Sequence, residues 1–260
     1  MSDTALVRYE LDDNVAILTL NRPAKRNALN APMVEELRQA IERAQSEARA
    51  AVICGTGEHF SAGLDLAEHV GRSPIEGVHH SRRWHAIFDQ MEQSPIPFFA
   101  ALHGAVVGGG LELAAAAHIR VADETAFFAL PEGTRGIFVG GGGSVRVARL
   151  MGVARMTDMM LTGRSLSARK AEDWNLCQYV VAADEARATA IDLARKAAGN
   201  AEMSNYAIIN ALPRIQDMAR GDGLFVESFV SAMTAAAPEA GERLRAFVEK
   251  RAAKVARPEA

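Results

Sequence analysis

The sequence predicts an α/β fold, and three observations carry that prediction. Short apolar, β-branched runs alternate with helix-periodic segments between residue 15 and about residue 145. Those runs stop at Asn-Arg-Pro or at glycines, as strands entering turns do. From about residue 150 the texture becomes helical. Strand, turn and helix recur without a clear sequence repeat, which points to an α/β architecture followed by a helical section able to fold back or to reach a neighbouring subunit.

The elements follow in order. "VAILTLNRP" (15–23) reads as a strand and a turn. Val34, Leu37, Ile41, Ala44 and Ala48 then recur at spacings of three and four, behind Asn30 as a cap and Pro32 in the first turn, so an amphipathic helix is expected. "AAVICGTG" and "PFFAALHG" are two buried strands, and "IRVADETAFFALPE" supplies two more strand-like pieces. Trp84 and His85 fall in a helix, as packing residues or, alternatively, as lining of a substrate channel. Beyond 150, "SVRVARLMGVARMTDMMLTG", "LSARKAEDW" behind Ser167, "EARATAIDLARKAAG" and "GERLRAFVEKRAAKV" are helical, with "LCQYVV" (176–181) as one intervening strand.

Bulk composition narrows the function classes. The chain has 260 residues, 49% hydrophobic, enough to build a sizeable core without staples. Its two cysteines, Cys54 and Cys177, form no CxxC pair, which argues against a disulfide framework and for a reducing compartment. The seven histidines lack HExxH spacing, so no metal centre is expected. A net charge of −3 offers no basic stripe for nucleic acid, and no apolar run reaches the ~20 residues of a membrane span. The N-terminus shows no secretory or transit pattern, and a cytoplasmic protein is the expectation.

Two glycine-bearing stretches concentrate the chemistry. In "HGAVVGGGLELAAAAHIRVAD" three glycines precede a helix whose first turn holds Glu112. A helix entrance presents unpaired N–H groups and a positive dipole end, which suit a developing anion at Gly109; an ordinary glycine-eased bend is the alternative. In "GTGEHFSAGLDLAEH", Leu64 to Glu68 read as a second helix start, with the N–H of Leu64 pointing outward. Two such donors are what an oxyanion hole requires, each contributing roughly 3 to 4 kcal/mol to transition-state stabilisation, and sequence spacing leaves open whether the two loops meet. Glu132, after a strand-like run and Pro131, is either a proton-transfer group or a solvated loop acid. "GGGGS" (140–144) lacks the ending of a P-loop and the GxSxG setting of a nucleophile.

Together, "LNRPAKRNALN", "FSAGLDLAE", "HGAVVGGGLELAAAAHIRVAD", "FALPE", "ARLMG", "LTGRSLSARKAEDWNL" and "AFVEKR" make the chain resemble the enoyl-CoA hydratase/isomerase (crotonase) superfamily over nearly its whole length. The resemblance implies a spiral of strand-strand-helix repeats over 1–195 and a helical oligomerisation region over 196–260, assembled as a homotrimer or a dimer of trimers. It implies that the N–H groups of Leu64 and Gly109 form the oxyanion hole. Adenine and pantetheine contacts are implied at Lys25, Arg26, Ala28, Ala62, Asp65 and Leu66, with Lys250 reaching a phosphate from a neighbouring subunit.

Both acids of the hydratases stand in this chain, as Glu112 and Glu132. The implied reaction is addition of water across the 2,3 double bond of a 2-enoyl-CoA, with coenzyme A as part of the substrate and no separate cofactor. Isomerases and hydroxycinnamoyl-CoA hydratase-lyases are the alternatives within the family, and a non-catalytic acyl-CoA- or RNA-binding relative is the alternative outside catalysis. The chain departs from the hydratase pattern in "GTRGIFVGGGGSVR", where Arg135 either pairs with a catalytic carboxylate and lowers its pKa or faces solvent. That departure leaves aromatic or branched acyl groups open.

Overall fold

The computed structural model describes residues 5–68 and 70–251. It divides into two compact units, with the boundary between Ala198 and Gly199. In the first unit a six-stranded sheet is built from β1 (Val7–Asp12), β2 (Val15–Leu20), β3 (Ala50–Gly55), β4 (Phe98–Leu102), β6 (Ile119–Asp123) and β9 (Tyr179–Val181), in the order β1-β2-β3-β4-β6-β9. Only the β1–β2 pair is antiparallel. A second sheet has three short strands in the order β5-β7-β8, with β5 (Ala105–Val107), β7 (Phe127–Ala129) and β8 (Ser165–Ser167).

The central strands are apolar throughout because both of their faces are buried. Val15, Ile17, Val52, Phe99 and Val121 face helix α7 (Ala186–Ala198), whose Ala190, Ile191 and Ala194 pack on them. Leu18, Leu20, Ile53, Ala100 and Leu102 face the opposite way. They meet Leu37 and Ile41 of helix α1 (Ala31–Glu47) and Phe88 of helix α2 (Pro74–Glu92). Asn30 caps α1 by accepting from the N–H of Met33, as its position predicts. Ser73 and Glu76 close a capping box on α2.

Helix α3 (Gly109–Ala116) joins the two sheets and is buried at every residue. Helices α4 (Gly143–Met151), α5 (Val153–Thr162) and α6 (Ala168–Asp173) follow, with Ser167 capping α6. Two sequence expectations change in detail. The Leu64–Glu68 stretch is not an α-helix start: it holds one 3-10 turn, Leu66–Glu68, and Leu64 sits instead in an isolated parallel bridge with Leu29. The strand expected over 176–181 begins only at Tyr179, because Leu176 turns back to bond Ala171.

The second unit holds α8 (Glu202–Gln216), α9 (Arg220–Ala236) and α10 (Pro238–Val248). Its helices leave Tyr206, Leu212, Leu224, Phe225, Phe229, Met233, Leu244 and Phe247 at least half exposed.

Candidate active site

The bridge at Leu64 decides where its N–H points. Leu29 N–H donates to Gly63 O at 2.7 Å and Asp65 N–H donates to Leu29 O at 2.9 Å. Alternation along an extended strand therefore turns the Leu64 N–H to the other side. There it meets the start of α3: a Cβ on Gly109 would stand 3.3 Å from Leu64 N, and one on Gly63 would stand 3.0 Å from Gly109 N and 2.5 Å from Val107 O. Glycine is required at 63 twice over, by that contact and by φ of 90°. Neither N–H finds an acceptor among the described residues. Gly109 lacks one because it opens the helix.

Glu112 lies one turn into α3 and is 4% exposed. Its Oε1 accepts the N–H groups of Gly141 and Gly143, both at 2.8 Å. Burial pushes its pKa up, while the N–H groups of Gly143, Gly141 and Gly140 and the nearby His85 draw it back. The glycine run at 140–143, which its sequence left without a role, is thus a carboxylate cradle. A Cβ on Gly143 would lie 2.9 Å from Glu112 Cγ, so the approach needs glycine.

Glu132 follows β7 and opens the 3-10 turn Gly133–Arg135. It is buried, Oε1 rests against Gly108, and Oε2 has no hydrogen-bond partner. Its pKa is pushed up to about 7, first by burial and then by the Glu112 charge; Arg135 pulls the other way with less effect. Of the two readings of Arg135, the structure bears out the one in which it faces solvent. Arg135 is exposed and makes no ion pair with Glu132 among the described residues.

A cavity of about 720 Å³ gathers Ala62, Leu64, Leu66, Gly109, Glu112 and Glu132 on one wall system. Trp84 also lines it, with Val78, Ile137 and Phe138 adding apolar surface. Lys25, Arg26, Ala28 and Asp65 are not on its lining. Lys25 and Arg26 are exposed on the 22–28 loop; Arg22 pairs with Asp65 at 2.7 Å and donates to Ala28 O at 3.0 Å. That guanidinium holds the Asp65 carboxyl below its ordinary pKa. The loop is pinned to residues 56–65 by Asn27, whose amide donates to Thr56 O and His59 O, and by Ala62 N–H donating to Arg26 O. Lys250 lies in the second unit, exposed beyond α10. Asn27, Arg22 and Ser81 were missed by sequence reasoning, since only partners 29 to 59 positions away give them meaning. Among the described residues no cluster of His, Cys, Asp and Glu could hold a metal ion.

A buried helix entrance facing a second backbone donor, with two sequestered carboxyls beside them, is an arrangement able to polarise a carbonyl oxygen and to move protons next to it. The family model described as "Enoyl-CoA hydratase/isomerase" matches residues 10–257. The 2,3-dehydroadipyl-CoA hydratase of Escherichia coli (strain K12) is 34% identical, covering 96% of this chain and 97% of that one. A solved structure from Rhodopseudomonas palustris CGA009, provisionally described as an enoyl-CoA hydratase, is 46% identical with a TM-score of 0.93, covering 96% and 97% of the two chains. One from Bacillus anthracis, titled enoyl-CoA hydratase, is 30% identical with a TM-score of 0.88 over 94% and 96%. The chain belongs to the enoyl-CoA hydratase/isomerase family and has the crotonase fold.

Proposed function

We propose that this protein hydrates the 2,3 double bond of a 2-enoyl-CoA thioester. The observation that carries the reading is the convergence of Leu64 N–H, Gly109 N–H, Glu112 and Glu132 on one cavity. The thioester oxygen sits between the two N–H groups, which stabilise the enolate charge that builds on it. A water lies between the carboxyls. Glu112, its charged form supported by two N–H donors, accepts the water proton during attack on C3. Glu132, half protonated near neutral pH, delivers a proton to C2.

The Ala62 and Leu66 side of the cavity is assigned to pantetheine. The loop bearing Lys25, Arg26, Ala28 and Asp65 is assigned to the adenine end, where two exposed cations face phosphate chemistry. Lys250 is assigned to a phosphate bound by a neighbouring subunit. Coenzyme A arrives with the substrate, and no other cofactor enters the scheme. The apolar faces of α8–α10 support assembly as a homotrimer or a dimer of trimers. Cytoplasmic residence is supported by Cys54 and Cys177, both buried free thiols. No helix among the described residues is long and apolar enough to cross a membrane.

The cavity's size and its Trp84 and Phe138 walls favour one second reading, cleavage of an aromatic enoyl-CoA after hydration. Mass analysis separates the two. Gain of one water on crotonyl-CoA, with the thioester intact, is the expected result; acetyl-CoA plus an aldehyde from a hydroxycinnamoyl-CoA alone would replace hydration with the lyase reaction. Glu132→Gln is expected to keep CoA-ester binding while lowering hydration at least ~100-fold. Near-normal turnover by that folded variant would remove Glu132 from the mechanism.

A further inference from the structure

The cradle around Glu112 is itself held from α2. Ser81 Oγ–H donates to Gly140 O at 2.7 Å. The carbonyl of Gly140 and the N–H of Gly141 belong to one planar peptide group, and they point in opposite directions. One bond on the carbonyl therefore sets the aim of the N–H, which reaches Glu112 Oε1 at 2.8 Å. With its single proton spent on Gly140, Ser81 can only accept from His85 Nε2, 3.3 Å away. The line His85, Ser81, peptide 140–141, Glu112 is a chain of hydrogen bonds in which each donor polarises the next.

We propose that Ser81 is a positioning residue for the reaction: it orients the peptide that presents the Gly141 N–H to Glu112, with His85 fixing the Ser81 hydroxyl. The proposal rests on the reading of Glu112 as the base. A second grip lies behind the loop, where buried Arg146 donates to Gly141 O at 3.0 Å and pairs with Asp89 and with Glu92. Arg146 ties the next peptide along, so it holds the loop in place without setting the Gly141 N–H. The charged and titratable groups around Glu112 are His80, Arg82 and His85 from α2, Glu132 and Arg135 from the segment after β7, and Arg146 from α4 with its two carboxylate partners.

The sign of the effect is fixed. A hydrogen bond to the carboxylate favours its charged form, so a misaimed Gly141 N–H raises the Glu112 pKa and weakens its hold. Ser81→Ala is expected to lower kcat on crotonyl-CoA about 10-fold, the weight of one charge-assisted hydrogen bond, with KM within about twofold. The acidic limb of its pH–rate profile should move to higher pH, and Ser81→Thr, which keeps the hydroxyl, should restore both. Because Ser81 also lines the cavity, a change confined to KM would make it a substrate contact and overturn the proposal. An unmoved acidic limb would overturn it too.

The same shift is read without turnover by infrared titration of the carboxyl band that disappears in Glu112→Gln. That band should titrate higher in Ser81→Ala than in the parent, and equal titrations would end the proposal even if the parent hydrated nothing. Absence of hydration by the parent with a shifted band would sink the hydratase reading and leave the positioning role standing.

Discussion

Glu132, the proton donor of the proposed mechanism, carries a cost to the fold that can be measured separately from any chemistry. In the folded chain it titrates near 7 against an ordinary 4.5. Between those values the folded state keeps a proton the unfolded state has lost, so its contribution to stability falls as pH rises through that window. The full effect is of order 3 kcal/mol. Thermal unfolding should therefore find Glu132→Gln more stable than the parent above pH 7, with the gap closing as pH falls towards 4.5. A gap independent of pH would remove burial of the charge as its cause. If Glu132 delivers the proton as proposed, hydration by the parent should decline as pH rises past about 7.

At the scale of elements, the entrance of α3 and the loop before α4 depend on glycines, at 108 and 142 for a positive φ and at 110 and 143 for close approach. Gly143→Ala places a methyl 2.9 Å from Glu112 Oε1. It should lower kcat by more than about 10-fold, in excess of what its change in melting temperature accounts for. An active variant with displaced melting would show that the loop serves folding alone. These elements were unevenly legible in the sequence. Gly109 and Glu112 could be read because a helix entrance and its first-turn acid are local. Leu64 was found for the wrong local reason, since its N–H is freed by a bridge to Leu29 and not by a helix. The cradle escaped notice because Glu112 and Gly141 are 29 positions apart, and the Ser81 anchor because it is 59 from Gly140. No periodicity reports such pairings. The β1 strand was also unread, its pairing with β2 being what gives its register meaning.

For the whole molecule, the division at Ala198 separates two kinds of demand on the chain. Ala62, Leu64, Gly109, Glu112 and Glu132 all belong to the first unit. The second unit carries α9 with Phe225 and Phe229, 65% and 56% exposed, in edge contact at 4.8 Å between ring centres. If such faces bury against other copies, Phe229→Asp should shift sedimentation toward a smaller species, and an unchanged sedimentation profile would place the subunit contact elsewhere.

The unpartnered Oε2 of Glu132 also bears on laboratory evolution. A library selected only for survival at high temperature has an easy gain available there, through any neutral side chain that removes the buried acid. Under the proposed mechanism such winners would be hardy and idle. Selection for heat tolerance in this scaffold therefore has to be run alongside selection for turnover, or position 132 will be among the first to drift.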